Sequence, residues 1–286
     1  MVLIVITIVV PYFFCTLHKE HFATRLSELQ KKTGRDYSDC VIKNSPISRI
    51  DKINMYLAKN PQKIPKIIHQ IWIGPKKPPW KWINSFKNDF RRKYPGWKYY
   101  LWTNERVKTF NIQNRKEYDY EKSYAGKADI LRYELLHKFG GIYIDADSHW
   151  LGLDLEDLIR QTNYTGVFVG NECKKCQGSL ANGVMGSSAN NPITKYLIET
   201  LHRNYFLCNN DKQKCKKAYK TTGPYFIDQV LIQFKITIFP YYYFYPIYWL
   251  GKKSVKMDLK TQKKRFPKSY MTQFGYTTHI GYNNIS

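Results

Sequence analysis

A helical repeat that runs into two glycines, and then into a strand ending in two carboxylates, restricts what this chain can fold into more than any other stretch. In Ala125–Asp147, AGKADILRYELLHKFGGIYIDAD, the residues Ala128, Leu131, Leu135 and Phe139 recur at helical spacing and mark one side of a helix for a core. Asp129 and Arg132, three residues apart, are then neighbours on the helix surface. Gly140 and Gly141 end the helix, and Ile142, Tyr143 and Ile144 favour a strand. With a period of two, Ile142 and Ile144 take one face, while Tyr143, Asp145 and Asp147 share the other. Such a unit belongs to an α/β sheet, and ligands of open α/β sheets bind in the crevice at the carboxyl ends of the strands.

Carboxylates at i and i+2 repel each other, which a fold tolerates where a cation lies near them. A hard divalent ion takes such oxygen ligands and keeps positions open for phosphate oxygens, so Asp145 and Asp147 read as a metal–diphosphate site. The plain alternatives are a polar strand end for the two carboxylates and a simple i, i+3 ion pair for Asp129 and Arg132.

The run A-D-x-x-R-Y-x-x-L-x-x-x-G-G-x-Y-x-D-x-D, intact from Ala128 to Asp147, resembles the signature of glycosyltransferase family 32 with its DXD motif. Further segments follow in the family's order. Ile64–Gly74, IPKIIHQIWIG, is similar to its first strand, and Trp97–Thr103 carries W-x-Y-x-L-W. Ser179–Pro192 is similar to a strand and loop lining the active site, Thr221–Val230 contains the T-G-P turn, and F-Y-P falls within Ile238–Leu250. His279 stands where the family's closing H-x-x-x-S-W places a metal-binding His, but the Trp of that pattern is absent here.

The resemblance implies a GT-A-type, Rossmann-like α/β domain with a mixed central sheet over residues 63–286. It implies metal-dependent, retaining transfer of mannose or another hexose from GDP-mannose or a UDP-hexose to a glycan or glycolipid. Trp72 would stack on the donor base, or else be a core Trp. Asp129 would meet donor sugar hydroxyls, and Arg132 the sugar or diphosphate. Asp145 would contact ribose or sugar, partly through Mn²⁺ or Mg²⁺, with Asp147 and His279 as metal ligands. Tyr143 would support the donor or simply pack. Asn182 would contact donor or acceptor, or be an ordinary turn residue before Gly183. No carboxylate is marked as a covalent nucleophile.

Charge and composition narrow the partners. Lys and Arg number 46 against 22 acidic residues, a net +24, which draws nucleic acid, an acidic membrane surface or a sugar diphosphate. No nucleic-acid-binding module is recognisable, so nucleic acid is not expected and the excess reads as a basic donor cleft on a generally Lys-rich chain. A hydrophobic share of 43% in 286 residues suffices for one large domain. Two other classes compete with the enzyme: an inactive glycan-binding relative, and a basic membrane- or nucleic-acid-binding protein.

Val2–Leu17 reads as a signal anchor, with a cleaved signal peptide or a buried strand as alternatives, since the run is short for a span and contains Pro11. The positive residues after it favour a cytosolic body. The resemblance implies a Golgi- or ER-type lumenal one, and a lumen-facing, single-pass enzyme is the expectation. Residues 18–62 read as a stem or helical annex. Cys173, Cys176, Cys208 and Cys215 fit disulfides within a local insertion better than a zinc site. His69 is a satisfied strand residue, Ile238–Leu250 packs in the core with a few exposed rings, Lys108–Lys122 is a surface segment and Lys252–Lys268 a basic loop.

Overall fold

The computed structural model describes residues 47–173, 179–208, 217–247 and 258–274. In chain order the strands are β1 (Ile67–Ile71), β2 (Lys98–Trp102), β3 (Gly141–Ile144), β4 (Ser148–Trp150), β5 (Val167–Asn171), β6 (Leu180–Ser187), β7 (Thr237–Phe239) and β8 (Met271–Gln273). Six of them form one sheet in the order β2-β1-β3-β6-β5-β7, while β4 and β8 pair separately as an antiparallel ribbon. β1 runs parallel to both β2 and β3, β6 is antiparallel to β3 and β5, and β7 is parallel to β5. The fold is therefore α/β with a mixed central sheet.

Both faces of this sheet are covered. Tyr143, Val169 and Met185 pack with Leu131, Leu135 and Ile227 on one side, and Ile142, Ile144, Phe168 and Val184 pack with Phe86, Phe90 and Phe244 on the other. The alternation expected along β3 thus holds, with Tyr143 and its isoleucine neighbours in different cores. A strand buried on both faces explains why the run before the carboxylates is apolar throughout.

The central helix, Tyr124–Phe139, begins at Ser123, whose Oγ accepts the Gly126 N–H at 3.0 Å. Gly140 and Gly141 take φ of +63° and +103°, and a Cβ on them would lie 2.6 Å from the Ala189 nitrogen and 2.5 Å from the Ile67 oxygen. The two glycines are needed both for their backbone angles and for the close passage of β3 beside β1. The helix also differs from expectation: Asp129, Arg132 and Glu134 are buried, not on a surface. The Pro192–Cys208 helix packs against it, and Phe226 of the Pro224–Leu231 helix meets its Tyr133 at a tilt with ring centroids 6.2 Å apart, so little of its girth meets water.

Other elements agree or depart for local reasons. The helix expected over Trp80–Tyr94 forms as Trp80–Asn84, a π-helical stretch Ser85–Phe90, and Arg91–Lys93. Ser85 at its wide turn is buried; its Oγ donates to Trp82 O at 2.6 Å and accepts the Trp150 N–H at 3.1 Å, tying β4 to this helix. Lys108–Lys122 is not all surface, because the Arg115–Tyr120 helix buries Glu117 and Tyr118. Lys252–Lys268 includes a helix, Leu259–Arg265, begun by Asp258, whose carboxylate accepts the Thr261 N–H at 2.9 Å. The Ile47–Lys59 helix puts Ile50 and Leu57 into the same core as the central helix.

His69 is satisfied as expected. It is buried, its Nε2 bonds Gly140 O at 2.9 Å, and its Nδ1 accepts from Trp102 Nε1 at 3.1 Å. Burial lowers its pKa to about 4, so the ring is neutral at pH 7. Within the described part of the aromatic run Phe239, Phe244 and Tyr245 are core, as expected, and Tyr242 is exposed, while residues 248–250 lie outside the described residues. Cys173 is buried and disulfide-bonded. Val2–Leu17, Cys176, Cys215 and His279 lie outside the described residues. Among the described residues no helix is long and apolar enough to cross a membrane.

Candidate active site

Asp145 is the first residue after β3, at the carboxyl end of the strand in mid-sheet. Its backbone is held on both sides: its N–H donates to Gly183 O at 2.8 Å, and its carbonyl accepts from Ser148 N at 3.0 Å and Gln70 Nε2 at 3.2 Å. Its carboxylate takes Tyr143 OH at 2.7 Å on Oδ1 and Gln273 Nε2 at 2.6 Å on Oδ2, with Arg132 Nη2 3.3 Å from Oδ1. Burial pushes the Tyr143 phenol well above its ordinary range, so it stays protonated and donates to Asp145. Asp147, two residues on, is buried, and its Oδ1 lies 3.5 Å from the same Gln273 Nε2. The side chain of Asp145 is 23% exposed, so of the two it is the one that reaches open crevice.

The pair Asp129–Arg132 backs this carboxylate from the helix. Arg132 Nη2 lies 2.9 Å from Asp129 Oδ1, its Nη1 donates to Asn182 O, and its guanidinium sits 4.3 Å from the centroid of the Tyr143 ring. Asp129 also accepts Asn182 Nδ2 and Thr222 Oγ1, each at 2.9 Å. Burial raises Asp129 to about 6 against the pull of Arg132 and of the Thr222 bond. Burial works against the charge of Arg132, but Tyr143, Asp145 and Asp129 outweigh it and hold the guanidinium above its ordinary value. One buried cation thus joins the carboxylate of the helix to the carboxylate of the strand end.

Asn182 is not a turn residue. It lies within β6, buried, and its Nδ2 also bonds the Tyr133 hydroxyl at 3.1 Å. Gly183 beside it leaves room for the site, since a Cβ there would lie 2.8 Å from both Asp145 Oδ2 and Gln273 Oε1. Trp72 follows β1, half-buried and outside both core clusters, and its Nε1 donates to Lys76 O at 2.8 Å.

Residues 79–165 match a family model described as glycosyltransferase sugar-binding region containing DXD motif, and that stretch holds the central helix, β3 and both carboxylates. The matched stretch resembles the DXD-containing sugar-binding region of glycosyltransferases. Over 162 residues it is 35% identical to an uncharacterized glycosyltransferase of Acanthamoeba polyphaga mimivirus, covering 52% of this chain and 58% of that one. Over 170 residues it is 30% identical to inositol phosphoceramide mannosyltransferase 3 of Schizosaccharomyces pombe, covering 57% of this chain and 44% of that one. The solved PaToxG glycosyltransferase aligns at 21% identity with a TM-score of 0.46, over 65% of this chain and 77% of that chain. The chain spans about half the length of the curated relatives it matches.

Of the residues singled out from the sequence, the structure brings Asp129, Arg132, Tyr143, Asp145 and Asn182 into one bonded network, with Asp147 joined through Gln273. Three members of that network were not foreseen. Thr222 was visible as part of the T-G-P turn, but only as a fold marker. Tyr133 was visible as the Tyr of the R-Y pair, and its hydroxyl donates to Thr222 O at 2.5 Å. Gln273 carries no motif, and only the pairing of β8 with β4, Gln273 opposite Ser148, delivers it to the carboxylates.

Proposed function

We propose that this domain is a metal-dependent, retaining hexosyltransferase of GT-A type. It moves mannose, or another hexose, from a nucleotide-diphosphate sugar to a glycan or glycolipid acceptor. The observation that carries the proposal is the buried bridge by which Arg132 links Asp129 to Asp145 at the carboxyl end of β3. The curated relatives named as mannosyltransferases favour mannose, the apolar Val2–Leu17 favours membrane anchoring, and the lumen-facing orientation rests on the family resemblance alone.

Glycosyltransferases of this type generally use a divalent metal. The residues present fit one: Asp145 and Asp147 bring two oxygen donors to a single amide nitrogen, 2.6 and 3.5 Å away, and this all-oxygen set suits a hard ion such as Mn²⁺ or Mg²⁺. Asp145 and Asp147 would hold it, with His279 as a third ligand. When bound it supplies Lewis acidity to the diphosphate leaving group.

The chain's own groups do the rest. Tyr143 and Arg132 fix the rotamer of Asp145, and Arg132 places a positive charge behind it where diphosphate charge develops. Trp72, half-buried beyond the end of β1, offers an indole to the donor base. Asp129 and Asn182 shape the floor under the sugar, and rearrangement of their mutual bond would open them to its hydroxyls. Donor hydrolysis by the full chain, across GDP- and UDP-sugars with Mn²⁺ or EDTA, tests the proposal. Metal-dependent turnover of one donor supports it. Absence of both hydrolysis and metal-dependent nucleotide binding would favour an inactive glycan-binding protein. The Ile47–Lys59 helix must be kept, because Ile50 and Leu57 belong to the core.

A further inference from the structure

β6 carries a bulge, and its residues bear on the carboxylate site. Met185 lies opposite Val169 of β5, but the next pair is Ala181 opposite Gly170, so β5 offers no partner to Asn182, Gly183 and Val184. On the other side the pairing with β3 continues: Val184 stands opposite Ile144, and Gly183 O takes the Asp145 N–H at 2.8 Å. Successive residues of an antiparallel strand send their N–H and C=O groups to opposite sides. With Gly183 turned to β3, Asn182 and Val184 turn theirs to the side that β5 has left open. Backbone groups released in this way and buried need partners from elsewhere.

Side chains supply them. The Asn182 carbonyl accepts from Arg132 Nη1, and the Val184 N–H donates to the Tyr245 hydroxyl at 2.9 Å. Tyr245 is the Tyr of the F-Y-P run, 61 residues from Val184. It is buried, and its own N–H donates to Tyr241 O at 2.7 Å. Its neighbour Phe244 packs on Phe168 and Phe239, with ring centroids 6.2 and 5.9 Å away. Gly170 leaves room for both rings, since a Cβ there would lie 2.6 Å from Phe244 Cδ2 and 3.1 Å from Tyr245 Cε2. The glycine at which β5 loses step with β6 thus admits the ring whose hydroxyl takes the place of β5.

Three contacts of the site depend on the shape of this bulge: Asn182 O on Arg132, Asn182 Nδ2 on Asp129 at 2.9 Å, and Gly183 O on the Asp145 N–H. We propose that Tyr245 is a positioning residue of the transfer reaction, its hydroxyl holding the bulge in the form that sets Arg132, Asp129 and Asp145 relative to one another. This rests on the glycosyltransferase reading above. Tyr245 acts through the backbone of β6. Because Arg132 backs Asp145 where diphosphate charge develops, a loosened bulge slows turnover more than it weakens donor binding.

The test uses the full chain and Tyr245→Phe, which keeps the ring and removes the hydroxyl. Amide hydrogen exchange, followed by NMR, should quicken at Val184 and Asp145 at least tenfold more than it does in β1. In the same variant kcat for metal-dependent donor hydrolysis should fall at least tenfold with donor KM within twofold, since a misplacement of roughly 1 Å can cost about 100-fold. Leu201→Val, a core truncation on the Pro192–Cys208 helix, controls for lost stability and should keep the parent kcat. Val184 exchange that quickens no more than that of β1 overturns the proposal. So does a parental kcat in Tyr245→Phe, or an equal fall of kcat in Leu201→Val, which would make the effect one of stability alone. A parent that hydrolyses no donor, with Val184 and Asp145 both quickened in the variant, leaves Tyr245 as the holder of the bulge and removes the transferase reading instead.

Discussion

Replacing Arg132 by Lys separates charge from shape at the centre of the site. The guanidinium reaches three groups at once: Asp129 at 2.9 Å, Asp145 at 3.3 Å and the Asn182 carbonyl, while its centre lies 4.3 Å from the centroid of the Tyr143 ring. A lysine ammonium keeps the charge but is a point on a flexible stem and cannot span helix, strand end and β6 together. It retains one carboxylate and forfeits the fork to the others, each such charge-assisted bond being worth about 1.5–3 kcal/mol. The expected loss is about 3 kcal/mol. Arg132→Met should cost more, about 5 kcal/mol, since the buried Asp129 and the partly exposed Asp145 both lose their cation. Against a typical total of roughly 5–15 kcal/mol, that variant is close to unfolding. Urea unfolding followed by intrinsic fluorescence reads both as shifts of midpoint at unchanged slope. Because the pair is buried, the losses should be alike at low and high salt. A Lys variant within about 0.5 kcal/mol of the parent would refute the view that the planar fork organises the site.

Thr222→Val is nearly isosteric and removes the hydroxyl that bonds Asp129 at 2.9 Å and also lies 3.1 Å from Ala218 O, so the fold should lose about 2 kcal/mol in the same assay; no change would mean that Asp129 does not depend on that hydroxyl. Gln273→Leu should weaken Mn²⁺ binding by roughly tenfold or more, measured by titration in the absence of donor, because the amide spans both carboxylates. Unaltered Mn²⁺ affinity would exclude Gln273 from ordering them. His69 has a folded pKa of about 4, below its unfolded 6.5. The unfolded chain takes the proton first, so the stability owed to the neutral ring is whole above pH 6.5 and drains away as pH falls toward 4, by about 3 kcal/mol in total. His69→Gln should flatten the fall of stability over that window, and identical pH profiles would reject this assignment.

Much of the site was legible because it is local. Asp129 and Arg132 are set three apart by helical geometry, Tyr143 and Asp145 two apart by the pleat, and Gly140–Gly141 by the turn between them; each spacing is a property of the backbone. The burial of the ion pair was not, since it depends on the Pro192–Cys208 and Pro224–Leu231 segments closing over the helix. Asn182-Gly183 looked like a turn because those residue types favour turns, yet strand pairing on both sides of β6 overrides that preference.

The sequence by itself therefore determined the helix–glycine–strand unit, the shared face of Tyr143, Asp145 and Asp147, and the likeness to DXD-type glycosyltransferases. Only the tertiary structure decided which groups from elsewhere meet the carboxylates: Asn182 and Thr222 on Asp129, and Gln273 on Asp145 and Asp147. The physical reason is reach. Periodicity fixes neighbours within a turn or a pleat, whereas residues from 50 to about 130 positions apart meet only once sheet order and helix packing have been chosen.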